Sequence, residues 1–125
     1  MKESIPACVA ILLVSLVAVG QGKDLSGTWM GTAFMSDGSE DRITLVLTKE
    51  DQTFSGTFTD TAGHAPEGTP VADFKVTDDE ITFSFVTAEG IRITAWLSVA
   101  GESMKGHWDS SKGDVAGLEL TRRKA

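Results

Sequence analysis

His64 and His107 are the only imidazoles in this 125-residue chain. Nucleophilic or metal chemistry of the usual kinds would have to be built around them. A Ser–His–acid relay needs a hydroxyl, an imidazole and a carboxylate held in mutual reach. His64 stands in a Gly- and Pro-containing stretch, His107 in an alternating one, and no Gly-x-Ser-x-Gly elbow occurs. Metal ligation asks for clustered His and carboxylates, and the two histidines are isolated from each other and from the acids. Asp37, Glu40 and Asp41 share one turn and Asp78, Asp79 and Glu80 another. Neither turn has the spaced Asp-x-Asp order of a calcium loop, so both read as solvated turns. Asp73 and Glu119 lie in strand-like runs with no evident partner, whereas glycoside hydrolysis needs two facing carboxyls. No catalytic residue, metal ligand or cofactor is assigned on these grounds, and a hydrolase is the minor reading.

The more informative constellation is built for contact. In Arg92-Ile93-Thr94-Ala95-Trp96-Leu97-Ser98 the alternation puts Trp96 on a polar face with Arg92, Thr94 and Ser98. If the Ala100–Ser103 turn pairs Val99 with Met104, then Leu97 faces Gly106, Ala95 faces Trp108, and Trp96 faces His107, with Thr82 on the other neighbouring strand. Trp96, His107, Thr82 and Thr94 are the candidate ligand or partner contacts. The plainer account of the same residues is cross-strand packing of Trp on His, which stabilises by about 0.2–1 kcal/mol. A third arrangement turns this face inward to line a polar cavity.

The elements that must carry these residues are strands. Apolar and polar residues alternate with period two over Asp41 to Thr48, Thr53 to Thr59, Glu80 to Thr87 and Ile91 to Val99. Further strands are expected over Gly27 to Met35, Val71 to Thr77, Met104 to Asp109 and Val115 to Thr121. Short Gly-, Asp- and Ser-rich turns separate them, and the longest loop runs from Thr61 to Thr69. The expected fold is all-β: an eight-stranded antiparallel up-and-down meander closed into a barrel, since closure removes the sticky edges of an open sheet. A two-sheet β-sandwich is the alternative. Leu25-Ser26-Gly27-Thr28-Trp29, Phe54-Ser55-Gly56-Thr57-Phe58 and Met104-Lys105-Gly106-His107-Trp108 share the form apolar-x-Gly-x-aromatic. Each Gly is expected to make room for a bulky neighbour and let its strand coil.

The first twenty residues read differently. Ile5 to Val19 is apolar and uncharged behind Lys2. It is shorter than the ~20 residues of a spanning helix, and Ala18-Val19-Gly20 offers small residues for cleavage. Residues 1–20 are therefore expected to be a signal peptide, with cleavage before Gln21 and Lys23 as the alternative site. Residues 21–125 form a single domain, secreted or periplasmic. Loss of the leader removes Cys8, the only cysteine, and with it any disulfide or thiolate chemistry. The net charge is −7, which argues against nucleic acid, whose binding rests on Lys and Arg neutralising phosphates, and against anionic membranes.

Gly27-Thr28-Trp29 on the first strand, with Arg122 or Arg123 after the last, resembles the calycin group of lipocalins and avidins. That resemblance implies an eight-stranded barrel in which the Arg packs across the Trp to close one end, so Gly27, Trp29 and Arg122 are the candidate closure residues. It does not carry biotin binding with it, because the chain has neither Asn nor Tyr to supply that pocket's donors. The function expected overall is an exported, non-enzymatic binding module for a small apolar or mixed ligand in the barrel interior. The alternative is a protein-interaction module that uses loops or the outer face around Trp96.

Overall fold

A computed structural model describes residues 24–51 and 53–123; the expected leader and its cleavage sites lie outside the described residues. Among the described residues nine strands follow one another: β1 Gly27–Met35, β2 Glu40–Glu50, β3 Thr53–Asp60, β4 Thr69–Pro70, β5 Ala72–Thr77, β6 Glu80–Val86, β7 Arg92–Ala100, β8 Ser103–Ser110 and β9 Val115–Arg122. They form one antiparallel sheet in the order β4-β3-β2-β1-β9-β8-β7-β6-β5. The first and last long strands pair along seven positions, Ala116 with Met35 through to Arg122 with Trp29. The single sheet thus wraps into a nearly closed barrel, and the sandwich alternative falls.

The expected fourth strand, Val71 to Thr77, is β5, starting one residue later, and the ninth strand is the two-residue β4 at the end of the expected long loop. Thr69 and Pro70 pair with Phe58 and Thr57 of β3, and Val71 N–H donates to Gly56 O at 3.0 Å. The chain then changes partner. Ala72–Thr77 runs along β6, with a bulge between Ala72 and Lys75 and Asp73 in the left-handed region at φ 55°. Pro70 lacks the N–H a continuing ladder needs, and a bulge twists the strand away from its neighbour. Between β3 and β5 the wall is held by side chains: Phe54 meets Phe74 at 5.7 Å, and Phe74 is backed by Phe83 of β6, stacked at 6.2 Å.

Inward positions follow the alternation. Ile43, Leu45 and Leu47 on β2, Ile93, Ala95, Leu97 and Val99 on β7, and Leu118 and Leu120 on β9 are all buried. Five of the large aromatics, Trp29, Phe58, Phe83, Phe85 and Trp108, fill the interior, whereas Phe54 is only partly buried. The β7–β8 register is the expected one, with Ala95 opposite Trp108 and Leu97 opposite Gly106.

The strand glycines correct the expectation of room for a bulky side chain. A Cβ on Gly106 would lie 1.8 Å from Trp96 O and one on Gly56 2.5 Å from Val46 O. The space is taken mainly by the neighbouring strand's backbone, drawn in where the sheet coils sharply. Gly31, outside the three-fold pattern, is the tightest: its Cβ would lie 1.7 Å from Glu119 O.

Candidate functional site

The two ends of the barrel differ. At one end Leu25 crosses under the core and accepts a hydrogen bond on its carbonyl from Trp29 Nε1 at 3.0 Å. Arg122, which the structure makes the last residue of β9, lies over Trp29 with Cζ 4.4 Å from the ring centroid. Its guanidinium donates to Ser26 O and Asp24 O, and Nε stands 3.2 Å from Glu102 Oε1. Gly27 opens β1 beneath this side chain; a Cβ there would sit 3.5 Å from Arg122 Nη1. One cation therefore ties the N-terminal segment, β9 and the β7–β8 turn together over a buried indole.

The opposite end holds a pocket of about 90 Å³. Its floor is aromatic: Phe58 and Phe85 stack at 4.4 Å, and Trp108 meets both edge-on at 6.0 and 6.2 Å. Ile91, Ile93 and Met35 add apolar wall, and the rim carries Asp60, His64, Thr87, Glu89, Ser110 and Asp114. Three turns shape that rim. His64 of the long loop faces Glu89, Nδ1 to Oε1 3.6 Å, and its carbonyl accepts from Ala88 N–H at 2.8 Å. Thr87 Oγ1 accepts from Ile91 N–H at 3.1 Å and fixes the β6–β7 turn. Ser110 Oγ accepts from the N–H groups of Lys112 and Asp114 and fixes the β8–β9 turn.

Two carboxyls beside this rim are buried, Asp41 at 3% and Asp60 at 8% exposure. Asp41 Oδ1 accepts from the N–H groups of Thr61 and Ala62 and from the Thr61 hydroxyl; Asp60 Oδ1 accepts from the N–H groups of Gly63 and Ala65. The Oδ2 atom of each is buried with no hydrogen-bond partner. Burial, and then the Asp60 carboxyl beside it, push the Asp41 carboxyl up to about 6. Asp41 is therefore not the solvated turn acid expected from its sequence neighbourhood. It shares the inward parity of Ile43 and Leu45, and Asp60 shares that of Phe58. That alternation was the available signal, and the acid-rich turn hid it.

The candidate contacts Trp96, His107, Thr82 and Thr94 come together, on the outside of the barrel. Thr82, Trp96 and His107 form one cross-strand row, with the Trp96 and His107 rings stacked at 5.0 Å. Trp96 is 38% exposed, so the inward-facing arrangement is overturned. An open groove of about 280 Å³ beside it is lined by Asp73, Lys75, Thr82, Ser84, Arg92, Thr94 and Trp96, with Phe83 at its base. Part of its polar lining is already self-paired: Arg92 Nη1 donates to Ser84 Oγ at 3.0 Å, and that hydroxyl donates to Asp73 Oδ2 at 3.4 Å. Among the described residues no group of three metal-ligating side chains occurs, and no helix is long and apolar enough to cross a membrane.

This architecture defines a small up-and-down β-barrel, sealed at one end and open over an apolar pocket at the other. Its fold is similar to that of designed barrels. One is a de novo designed fluorescence-activating β-barrel (23% identity, 79% of this chain and 94% of that one covered, TM-score 0.57). Another is a redesigned β-barrel, mFAP1, bound to DFHBI (18% identity, 78% and 94% covered, TM-score 0.60). No protein-family model and no curated protein matches the chain.

Proposed function

We propose that this protein binds a small, flat, apolar or mixed ligand in the open end of the barrel. The observation that carries the proposal is the asymmetry of the ends, with one plugged by Leu25, Trp29 and Arg122 and the other leaving Phe58, Phe85 and Trp108 as the floor of a pocket. Ligand sites are typically concave, apolar and edged by a few polar groups. About 90 Å³ is well below the ~300 Å³ at which drug-sized clefts begin, so the pocket seats part of a single ring or a short chain, and a larger flat ligand extends over the rim. The likeness to a designed barrel bound to a small molecule agrees with this, as does the calycin-like Trp29–Arg122 pair. The Trp96 face is the lesser candidate, because the partners of Trp96 and Arg92 are supplied from within the sheet.

Indole is a suitable probe. It is expected to bind with a Kd on the order of 0.1–1 mM, about 0.5 kcal/mol per non-hydrogen atom. Ile93→Trp, which fills the pocket from its wall, should weaken it at least tenfold, and Trp96→Ala should leave it unchanged. Equal binding by wild type and Ile93→Trp would place the probe elsewhere.

Export belongs to the same proposal. It rests on the uncharged apolar run Ile5 to Val19 followed by Ala18-Val19-Gly20. The mass of the mature product is expected to correspond to a chain starting at Gln21, and a product starting at Met1 would contradict it.

A further inference from the structure

Binding an apolar ligand does not require the Asp41–Asp60 pair, although Asp60 reaches the pocket rim, and the pair is the least ordinary feature of the interior. Burying a carboxylate is costly unless donors satisfy it. Here each acid spends one oxygen on loop N–H groups and leaves the other orphaned and buried. The two acids are neighbours by register: Asp60 pairs with Ile43, two residues beyond Asp41, and Thr61 N–H continues the ladder to Arg42 O at 3.0 Å. Two adjacent carboxyls cannot both ionise cheaply, and one proton between them satisfies both orphan oxygens. Between them they accept from four backbone N–H groups, those of residues 61, 62, 63 and 65. Those residues flank His64, which stands on the pocket rim.

We propose that Asp41 and Asp60 are a proton-sharing latch: with one proton between them they hold the 61–65 loop on the pocket rim, and loss of that proton releases it. The latch rests on the pocket reading for its purpose and not for its existence. As pH falls the loop is clamped and a bound ligand is retained; as pH rises through neutrality the rim loosens and exchange speeds up.

The charged surroundings bear on the direction. On β2 the flanking residues Glu40 and Arg42 are exposed and point away from the barrel interior; the β1 partner of Asp41 is Ala33. From the loops His64, Glu89 and Asp114 share the rim with Asp60, and His64 is already opposite Glu89. The influences on Asp41 are burial, the Asp60 carboxyl and the Thr61 and Ala62 donors, with no cation among them. The folded chain holds this proton more tightly than the unfolded chain, where an Asp sits near 3.8. The stability from the proton held at Asp41 is therefore full below about pH 4 and is lost as pH rises through about 6.

The test is a pair of measurements on wild type, Asp41→Asn and His64→Gln between pH 4.5 and 8. In the Asp41→Asn variant the side-chain amide donates permanently toward Asp60 and mimics the closed latch. Backbone amide signals of residues 61, 62, 63 and 65 in wild type and His64→Gln should titrate together with a midpoint near 6, and in Asp41→Asn they should stay flat. Melting temperature should fall by roughly 5 °C or more from pH 4.5 to 7.5 in wild type and His64→Gln, and much less in Asp41→Asn. Loss of the titration in His64→Gln would assign it to the imidazole and overturn the latch. So would a wild type whose loop amides do not titrate, or one stabilised by millimolar calcium at pH 7.5, which would make the pair a cation site. Should Asp41→Asn not fold, Asp60→Asn serves: Asp41 stays buried but loses the neighbouring carboxyl, so its loop amides should titrate with a lower midpoint than in wild type, and an unchanged midpoint would overturn the sharing. Indole dissociation in wild type should be several-fold faster at pH 7.5 than at pH 5. If indole binds at neither pH, the pocket reading fails alone and the amide titration still decides the latch.

Discussion

Gly106→Ala and Gly31→Ala are each expected to cost roughly 3 kcal/mol or more, a large share of the ~5–15 kcal/mol that holds a domain of this size folded. Neither position needs glycine for its turn. Each needs it because a neighbouring backbone already occupies the place of the Cβ: Trp96 O at 1.8 Å for Gly106 and Glu119 O at 1.7 Å for Gly31. Both obstacles are main-chain atoms held in ladders, β7 with β8 and β9 with β1, so no rotamer change relieves them. The strands must separate and the barrel must uncoil locally. Gly117→Ala is the control. Its Cβ would meet nothing within 4 Å, and its effect should stay within about 0.5 kcal/mol. Urea denaturation of the three variants checks this. A Gly106→Ala protein as stable as Gly117→Ala would mean that the coiling at this corner is not obligatory.

Trp29→Ala is expected to cost about 3–5 kcal/mol, the usual range for emptying an aromatic core site, and Arg122→Ala about 2 kcal/mol. Trp29 is completely buried, and its loss leaves a cavity between Leu25 and β2 while orphaning the Leu25 carbonyl. Arg122 contributes through the indole face, about 0.5–2 kcal/mol, and through hydrogen bonds from a charged donor to Ser26 O and Asp24 O, discounted for its partial exposure. Arg122→Lys keeps the charge but loses the planar fork, and should recover less than half of the loss. The double variant should be less destabilised than the sum of the two singles, because the residues touch. If both single variants melt with wild type while Phe83→Ala does not, the closure account is wrong.

Much of the barrel could be read from the alternation. The strand pairs follow from short turns, and the pairing of Trp96 with His107 needed only a guess at one hairpin. The extra two-residue strand β4 was not legible. Pro70 and the left-handed Asp73 make sense only once it is known which strands lie on either side, because the seam is a relation between β3 and β5, which the long loop separates in the chain. The site was legible in pieces. His64 could be placed in the long loop, but its meeting with Glu89 depends on two loops that approach only when the barrel closes. Asp41 was concealed by a compositional habit, that acids in turns are wet, and Asp60 lies one residue past the expected end of its strand. Their parity with Ile43 and Phe58 pointed inward, and burial followed that parity. The outer Trp96 row drew attention in the sequence because Trp and His are rare here, yet a sheet face can place two rings face to face for cross-strand packing alone.

The central claim is that the open end of the barrel is the ligand site. The most direct measurement is an amide and indole N–H shift map of the wild-type protein titrated with indole at pH 5, where the rim loop is held. The account predicts saturable shifts concentrated at Thr87, Ile91, Ile93 and the Trp108 side chain, with Trp96 and His107 unmoved. Shifts centred on Trp96 and Thr82, or none that saturate, would contradict it.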